Sequence, residues 1–322
     1  MDEMQEVNRP IFVVGSPRSG TSILTWCLGQ HPNIFPVPES NWMGEFAVNV
    51  AASYQVGIAR GDRTILSAMG ISPEEFFANF GRSINDLILR HRADLERKRK
   101  TTRPPSEPKM RWVDGTPEYS LHICALRKLF PEAIFVHVLR DVRDVVRSML
   151  NFHRVAGFEL VPNESQAYKY WLRTVKACAQ AEQAYGSRVV HRLFYTALIE
   201  KPESVVRSLL EFVGEPYCAR CLEPLSKRIN SSNVPADFVA ENAATDPRIV
   251  EEATKLYSEL QKTLLPTKLF SAAADEMEAD FNRKVQHMMT VDDQLRDARR
   301  MVETLEKQCS AEKENTRDEA LL

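Results

Sequence analysis

Two short stretches of the chain hold residues whose types and spacing can grip an anion. The first is Gly15-Ser16-Pro17-Arg18-Ser19-Gly20-Thr21-Ser22, which follows the apolar run Ile11 to Val14 and leads into a helical pattern from Ser22 to Leu28. Between a strand and a helix, successive backbone N–H groups and the helix N-terminus can cradle a phosphate. The spacing G-x-x-x-x-G-x-S resembles the phosphate loop of nucleoside-triphosphate enzymes. Thr21, however, stands where their lysine reaches the β and γ phosphates, and Arg18 lies earlier in the loop. That exchange argues against an ATP-dependent kinase or hydrolase. An ordinary glycine turn is the competing reading of the same residues.

The second stretch is V-H-V-L-R-D-V-R-D-V-V-R-S, with Arg140 at the end of an apolar run and Ser148 eight residues later, about two helical turns along. A planar guanidinium and a hydroxyl can share one phosphate. A helix-capping ion-pair network among Arg140, Asp141, Arg143 and Asp144 would also account for most of these charges. Taken together, two anion loops in one domain point to a nucleotide with phosphates at two positions.

The elements that position these groups are legible from periodicity. Ile11 to Val14 and Ile134 to Leu139 read as buried strands, Val142 to Leu150 as an amphipathic helix, and Arg188 to Leu193 as a third strand. Strands alternating with helices predict an α/β, P-loop-like three-layer domain with a central parallel sheet, its ligands at the carboxyl ends of the strands. The domain is expected over residues 8–271. Within it, Arg90 to Pro108 is dense in charge and proline and predicts an exposed loop. From Ala272 onward Gly and Pro vanish, and Met288, Val291, Leu295, Ala298, Val302, Leu305 and Cys309 recur at spacings of three and four. Residues 272–322 therefore predict an amphipathic helix or coiled coil, with a homo-oligomer formed through that seam. The chain stops soon after the seam, as a piece of a longer protein would. Because the motifs end well before it, a deletion from Glu276 onward is expected to spare the chemistry.

With 322 residues, 43% of them hydrophobic, the chain can bury a large core. Its net charge of −2 argues against nucleic acid as a partner, so any anion site has to be built locally. Six scattered cysteines lack the density of a disulfide scaffold, and Cys218 and Cys221 have no second pair to complete a zinc site, so no metal is expected. The first ten residues carry no apolar signal segment and no run of 18 apolar residues follows, which predicts a cytoplasmic protein without a membrane span.

At this level the sequence is similar to the sulfotransferases that use 3′-phosphoadenosine 5′-phosphosulfate (PAPS), above all the branch that includes protein-tyrosine sulfotransferases and bacterial relatives. The resemblance rests on Pro17 to Ser22, on Arg140 to Ser148, and on His31-Pro32-Asn33 with Glu39 eight residues beyond His31. It also rests on Phe194-Tyr195-Thr196-Ala197-Leu198, Lys201-Pro202-Glu203 and Leu210 to Gly214, and runs from Pro10 to Phe238. It implies PAPS as sulfuryl donor, with the loop from Ser16 to Ser22 on its 5′-phosphosulfate and Arg140 and Ser148 on its 3′-phosphate. Glu39 is implied as the catalytic base and Tyr195 as a stacking platform for adenine or acceptor. Where many relatives read W-x-x-K-T-P, this chain reads Trp112-Val113-Asp114-Gly115-Thr116-Pro117, without the lysine. Arg18 then stabilises charge alone, or Lys227 or Arg228 enters the site.

An acceptor hydroxyl has a high pKa and needs a base as the new bond forms, a role suited to a carboxylate partly desolvated in a cleft. On chemistry alone His31 and His122 are alternatives, His31 also suiting a helix end and His122 lying in a predicted helix. Trp171 suits core packing. The acceptor pocket is expected from the weakly patterned segments Gly44 to Gly61 and Asn151 to Tyr168. The rival functions are a PAPS-binding pseudoenzyme or scaffold associating through its C-terminal helix, and a small-molecule kinase, which lacks its lysine at Thr21.

Overall fold

The apolar run at Ile11 forms strand β1 (Ile11–Gly15), and its composition follows from its place. It lies in the middle of a five-stranded sheet and is buried along its whole length. Its companions are β2 (Ile34–Pro36), β3 (Arg111–Asp114), β4 (Ile134–Leu139) and β5 (Val190–Phe194), in the order β2-β3-β1-β4-β5, every pair parallel. The computed structural model describes residues 9–98, 111–226, 234, 245–266 and 268–319. Strands β1, β4 and β5 lie where periodicity places them; β2 and β3 are additional to that reading.

Side chains alternate across the sheet, so one strand feeds two cores. Phe12 and Val14 join Phe35, Trp112 and Phe135 on one face, whereas Ile11 and Val13 join Ile34, Val113 and Val136 on the other. The first face is covered by the helices Met43–Ile58, Ile123–Leu129 and Glu164–Tyr185, the second by Thr21–Leu28 and Pro202–Val213. The result is the expected three-layer α/β arrangement. A third cluster packs Val142, Val145 and Met149 of the helix Val142–Leu150 against Trp171, Val175 and Leu260, so Trp171 serves the core. Beneath it, the buried Glu182 carboxylate accepts from His137 Nδ1 at 2.7 Å and from Arg192 Nε at 3.0 Å. Burial opposes that charge, but the two partners prevail and hold its pKa below the ordinary value.

Three expectations need correction. The charged segment from Arg90 begins as helix, with Pro73–Arg90 followed by Arg92–Lys98; the remainder, 99–110, lies outside the described residues. Gly44 to Gly61 is chiefly the helix Met43–Ile58, whose Ala47, Val48, Val50 and Ala51 are core. The C-terminal helix, Ser271–Glu319, does not stand apart from the domain at its start. Ala273, Met277, Phe281 and Val285 recur at spacings of four and are buried in the first core, ahead of the heptad seam. Beyond Met289 the helix leaves the body, and Val291, Leu295, Val302 and Leu305 are 41–53% exposed. Cys309 lies among residues whose side chains are not described. No helix among the described residues is long and apolar enough to cross a membrane.

Candidate functional site

The carboxyl ends of all five strands open into one cleft of about 1090 Å³. Each strand is followed by a side chain that lines it: Arg18 after β1, Glu39 after β2, Glu118 after β3, Arg140 after β4 and Tyr195 after β5. Residues 177 positions apart in the chain are thereby gathered at one sheet edge, as open parallel sheets do with their ligands.

The loop after β1 turns back through a hydrogen bond from Ser19 N to the Ser16 carbonyl at 3.1 Å. Arg18 has φ 71° and Gly20 φ 108°, so backbone amides can point inward where an ordinary turn would disperse them. Gly20 is required on a second ground: a Cβ there would lie 2.5 Å from the Tyr195 ring. Tyr195 therefore seals the loop, and the Arg140 guanidinium sits 4.5 Å above the same ring.

The two anion segments are physically joined. Arg18 Nε donates to Ser148 Oγ at 3.3 Å, and Arg140 Nη1 donates to the Arg18 carbonyl at 3.2 Å. Phe152 supports the Arg18 guanidinium at 4.6 Å. Of the expected ion-pair network, Asp141 caps its helix by accepting from the backbone of Arg143 and Asp144, and Asp144 lies 3.6 Å from Arg140. Ser16, Pro17, Ser19 and Thr21 are buried, while Arg18, Gly20 and Ser22 are half-buried. Burial, followed by the charge of Arg140, lowers the pKa of Arg18, and Glu39 opposes the shift.

Glu39 stands exposed at the mouth of the cleft, with Ser22 Oγ donating to its Oε1 at 3.5 Å. Its backbone is fixed through the next residue. Ser40 N donates to Thr116 Oγ1 at 2.9 Å, and Ser40 Oγ donates to Asp114 Oδ2 at 2.6 Å and meets Tyr119 Oη at 2.5 Å. Thr116 returns two bonds to Asp114 Oδ1, at 2.6 and 2.8 Å. The segment that lacks the lysine thus positions the glutamate. Partial desolvation, then the charges of Glu118 and Asp114, raise the pKa of Glu39; Ser22 and Arg18 pull it back.

A side chain at Gly115 would displace Thr25, because a Cβ there would meet Thr25 Oγ1 at 2.1 Å. Lys227 and Arg228 lie outside the described residues. The alternative bases are elsewhere. His31 is buried with Nε2 against the Pro216 carbonyl at 3.1 Å and Nδ1 accepting from Asn33 N at 3.2 Å, a neutral structural histidine. Burial lowers its pKa. His122 sits between the 3-10 turn Pro117–Leu121 and the helix Ile123–Leu129, facing a small separate hollow with Asp280 and Lys284.

Glu118 and Arg147 line the cleft and were not singled out from the sequence. Both sit at motifs already described: Glu118 follows Pro117, and Arg147 lies inside the Arg140 to Ser148 stretch. Of the segments expected to form the acceptor pocket, Asn151 to Tyr168 lines the cleft through Phe152, Val155, Phe158 and Leu160.

A sequence profile for the Sulfotransferase family matches residues 10–218. A putative protein-tyrosine sulfotransferase of Caenorhabditis briggsae is 26% identical over 213 residues, 66% of this chain and 68% of that protein. An uncharacterized Aquifex aeolicus protein is 26% identical over 220 residues, 67% of this chain but 26% of that protein, so the chain spans about a quarter of it. The sulfotransferase domain of the Synechococcus PCC 7002 olefin synthase aligns over 85% of this chain and 96% of its own, at 18% identity and a TM-score of 0.43.

Proposed function

The chain belongs to the sulfotransferase family, and from that premise we propose that its cleft moves the sulfuryl group of PAPS to a hydroxyl of an acceptor. The observation that best supports this reading is the joining of two anion-gripping segments by Arg18, through Ser148 Oγ on one side and the backbone contact with Arg140 on the other. A donor with phosphates at both ends of a ribose matches two such segments. Arg140 Nε, Ser16 Oγ and Ser19 Oγ are buried without a hydrogen-bond partner among the described residues. Such groups fit a ligand rich in acceptor oxygens.

In this reading the loop 16–22 holds the 5′-phosphosulfate, Arg140 and Ser148 hold the 3′-phosphate, and the Tyr195 ring faces the adenine. PAPS supplies a sulfuryl group already activated on a phosphate leaving group. The chain's own residues position and neutralise. Glu39 takes the proton from the acceptor oxygen, its raised pKa bringing it nearer the working pH. Arg18 and the loop amides offset charge spreading over the transferring oxygens. The Asp114, Thr116 and Ser40 bonds keep Glu39 aligned. A cytoplasmic setting and association through the exposed stripe of the C-terminal helix complete the proposal. Loss of the lysine at Gly115 would suit a nucleotide-binding scaffold, but Glu39 and Arg18 in one cleft favour an enzyme.

The test is nucleotide selectivity. Adenosine 3′,5′-bisphosphate at 100 times its Kd should stabilise the fold by about 2.7 kcal/mol in thermal unfolding, and ATP, lacking the 3′-phosphate, by much less. Arg140→Ala should weaken bisphosphate binding by about 1.5–3 kcal/mol in calorimetry. Equal stabilisation by ATP, or unchanged affinity in the variant, counts against the assignment.

A further inference from the structure

Read in the spatial order of the strands, the groups at the cleft edge form a gradient that chain order hides. From β2 through β3, β1 and β4 to β5 they run Glu39, Glu118, Arg18, Arg140, Tyr195. Neighbouring strands are about 4.8 Å apart, so the carboxylates that follow β2 and β3 occupy one end of the cleft. The cations and the aromatic ring occupy the other, where a further lining carboxylate, Asp144, is taken up by Arg140 at 3.6 Å. Among the described lining residues, the cations Arg18, Arg140 and Arg147 all follow β1 or β4, and none follows β2 or β3. On the proposed reading the nucleotide takes the basic end, which leaves the acidic end to the acceptor.

Glu118 is built to stay there. It sits on the rigid 3-10 turn Pro117–Leu121, and Tyr170 Oη donates to its Oε1 at 2.7 Å. Its Oε2 accepts no hydrogen bond from a described residue. The Tyr170 ring is itself backed by the Arg173 guanidinium at 5.1 Å. Glu118 is thus held by one oxygen and lines the cleft beside the base. The lysine that would offset it is absent, and Gly115 in its place packs against Thr25.

We propose that Glu118 is a specificity-determining residue that selects acceptors carrying a positive charge near the reacting hydroxyl, an ammonium or guanidinium group, and rejects anionic ones. This inference rests on the sulfuryl-transfer reading of the cleft. Glu39 gives its charge to the proton it takes, whereas Glu118, bonded by Tyr170, keeps a carboxylate oxygen for the acceptor's cation.

The test uses the full chain saturated with adenosine 3′,5′-bisphosphate and two phenols of equal length and opposite charge, tyramine and 3-(4-hydroxyphenyl)propionate, titrated by calorimetry. Tyramine should bind about 10- to 100-fold more tightly, the range of one charge-assisted hydrogen bond. Glu118→Gln should shrink that ratio about tenfold and Glu118→Lys should invert it, an effect on preference that a merely structural role would not produce. Equal affinities in the wild type, no binding of tyramine, or a ratio unmoved in both variants overturns the proposal. Failure of the bisphosphate itself to bind is seen before any phenol is added; it defeats the nucleotide reading and this inference with it.

Discussion

Cutting the chain after Asp275 should abolish the fold, whereas cutting it after Thr290 should not. The shorter fragment lacks Met277, Phe281 and Val285, which are 8%, 4% and 0% exposed in the core over the sheet. Burying side chains of this size contributes about 1.5–3 kcal/mol each, so the three together supply about 5–9 kcal/mol, of the order of a whole domain's 5–15 kcal/mol. The longer fragment keeps all of them and loses only the projecting arm. Urea unfolding with linear extrapolation decides the matter. The 1–290 fragment should match the full chain within about 1 kcal/mol, a surface-sized change, while 1–275 should show no cooperative transition. A cooperative 1–275 fragment within about 2 kcal/mol of the full chain would refute the packing argument. Light scattering on the full chain and on 1–290 reports separately on association, and equal protomer numbers would remove the arm's role in it.

Glu39→Gln preserves size and removes basicity, so kcat should fall about 100-fold or more with bisphosphate affinity unchanged; retention of most turnover would remove Glu39 from the mechanism. Because burial, Glu118 and Asp114 raise the Glu39 pKa, kcat/KM should fall as pH drops through that raised value. Glu118→Gln removes one raising charge and should move this acid limb to lower pH; a limb that stays put or rises contradicts the coupling. Gly115→Lys, which restores the family's residue, should destabilise by about 1–3 kcal/mol through the clash with Thr25. Thr25→Ala in the same chain should recover stability in thermal melts, and failure to do so would place the strain elsewhere.

What could be read from the sequence was the part whose signal is local. The run Ile11 to Val14 announces a doubly buried strand by itself, and the loop after it carries its glycines and arginine within eight residues. Strand β3 shows why other parts were hidden. It reads Arg-Trp-Val-Asp, with a charge at each end, yet all four residues are buried. Its Arg111 pairs with Glu215, 104 positions away, at 3.0 Å, and its Asp114 accepts from Ser40, 74 positions away. Pairing with distant partners leaves no trace in a local pattern. Strand β2 has three residues and ends in Pro36, tolerable because it is a sheet edge. In the same way Glu118 became a candidate only when the fold put β3 between β2 and β1. The C-terminal helix was legible as a helix, but a stripe against its own domain and a stripe open to partners have the same period.

The central place of β1 also has a history in the making of the chain. Its partners are β3 and β4, with Ile11 registered on Val113 and Ile134. No hairpin can shelter it, and both contacts close loops of more than one hundred residues, the kind of topology that folds slowly. During synthesis at about 5–20 residues per second, β1 waits roughly 6–25 seconds after leaving the ribosome before β4 follows. For that interval a strand that ends up wholly buried is a bare segment, and the anion loop behind it has no sheet to stand on. Chaperone capture should therefore concentrate on the first strand of nascent chains that end before Leu139.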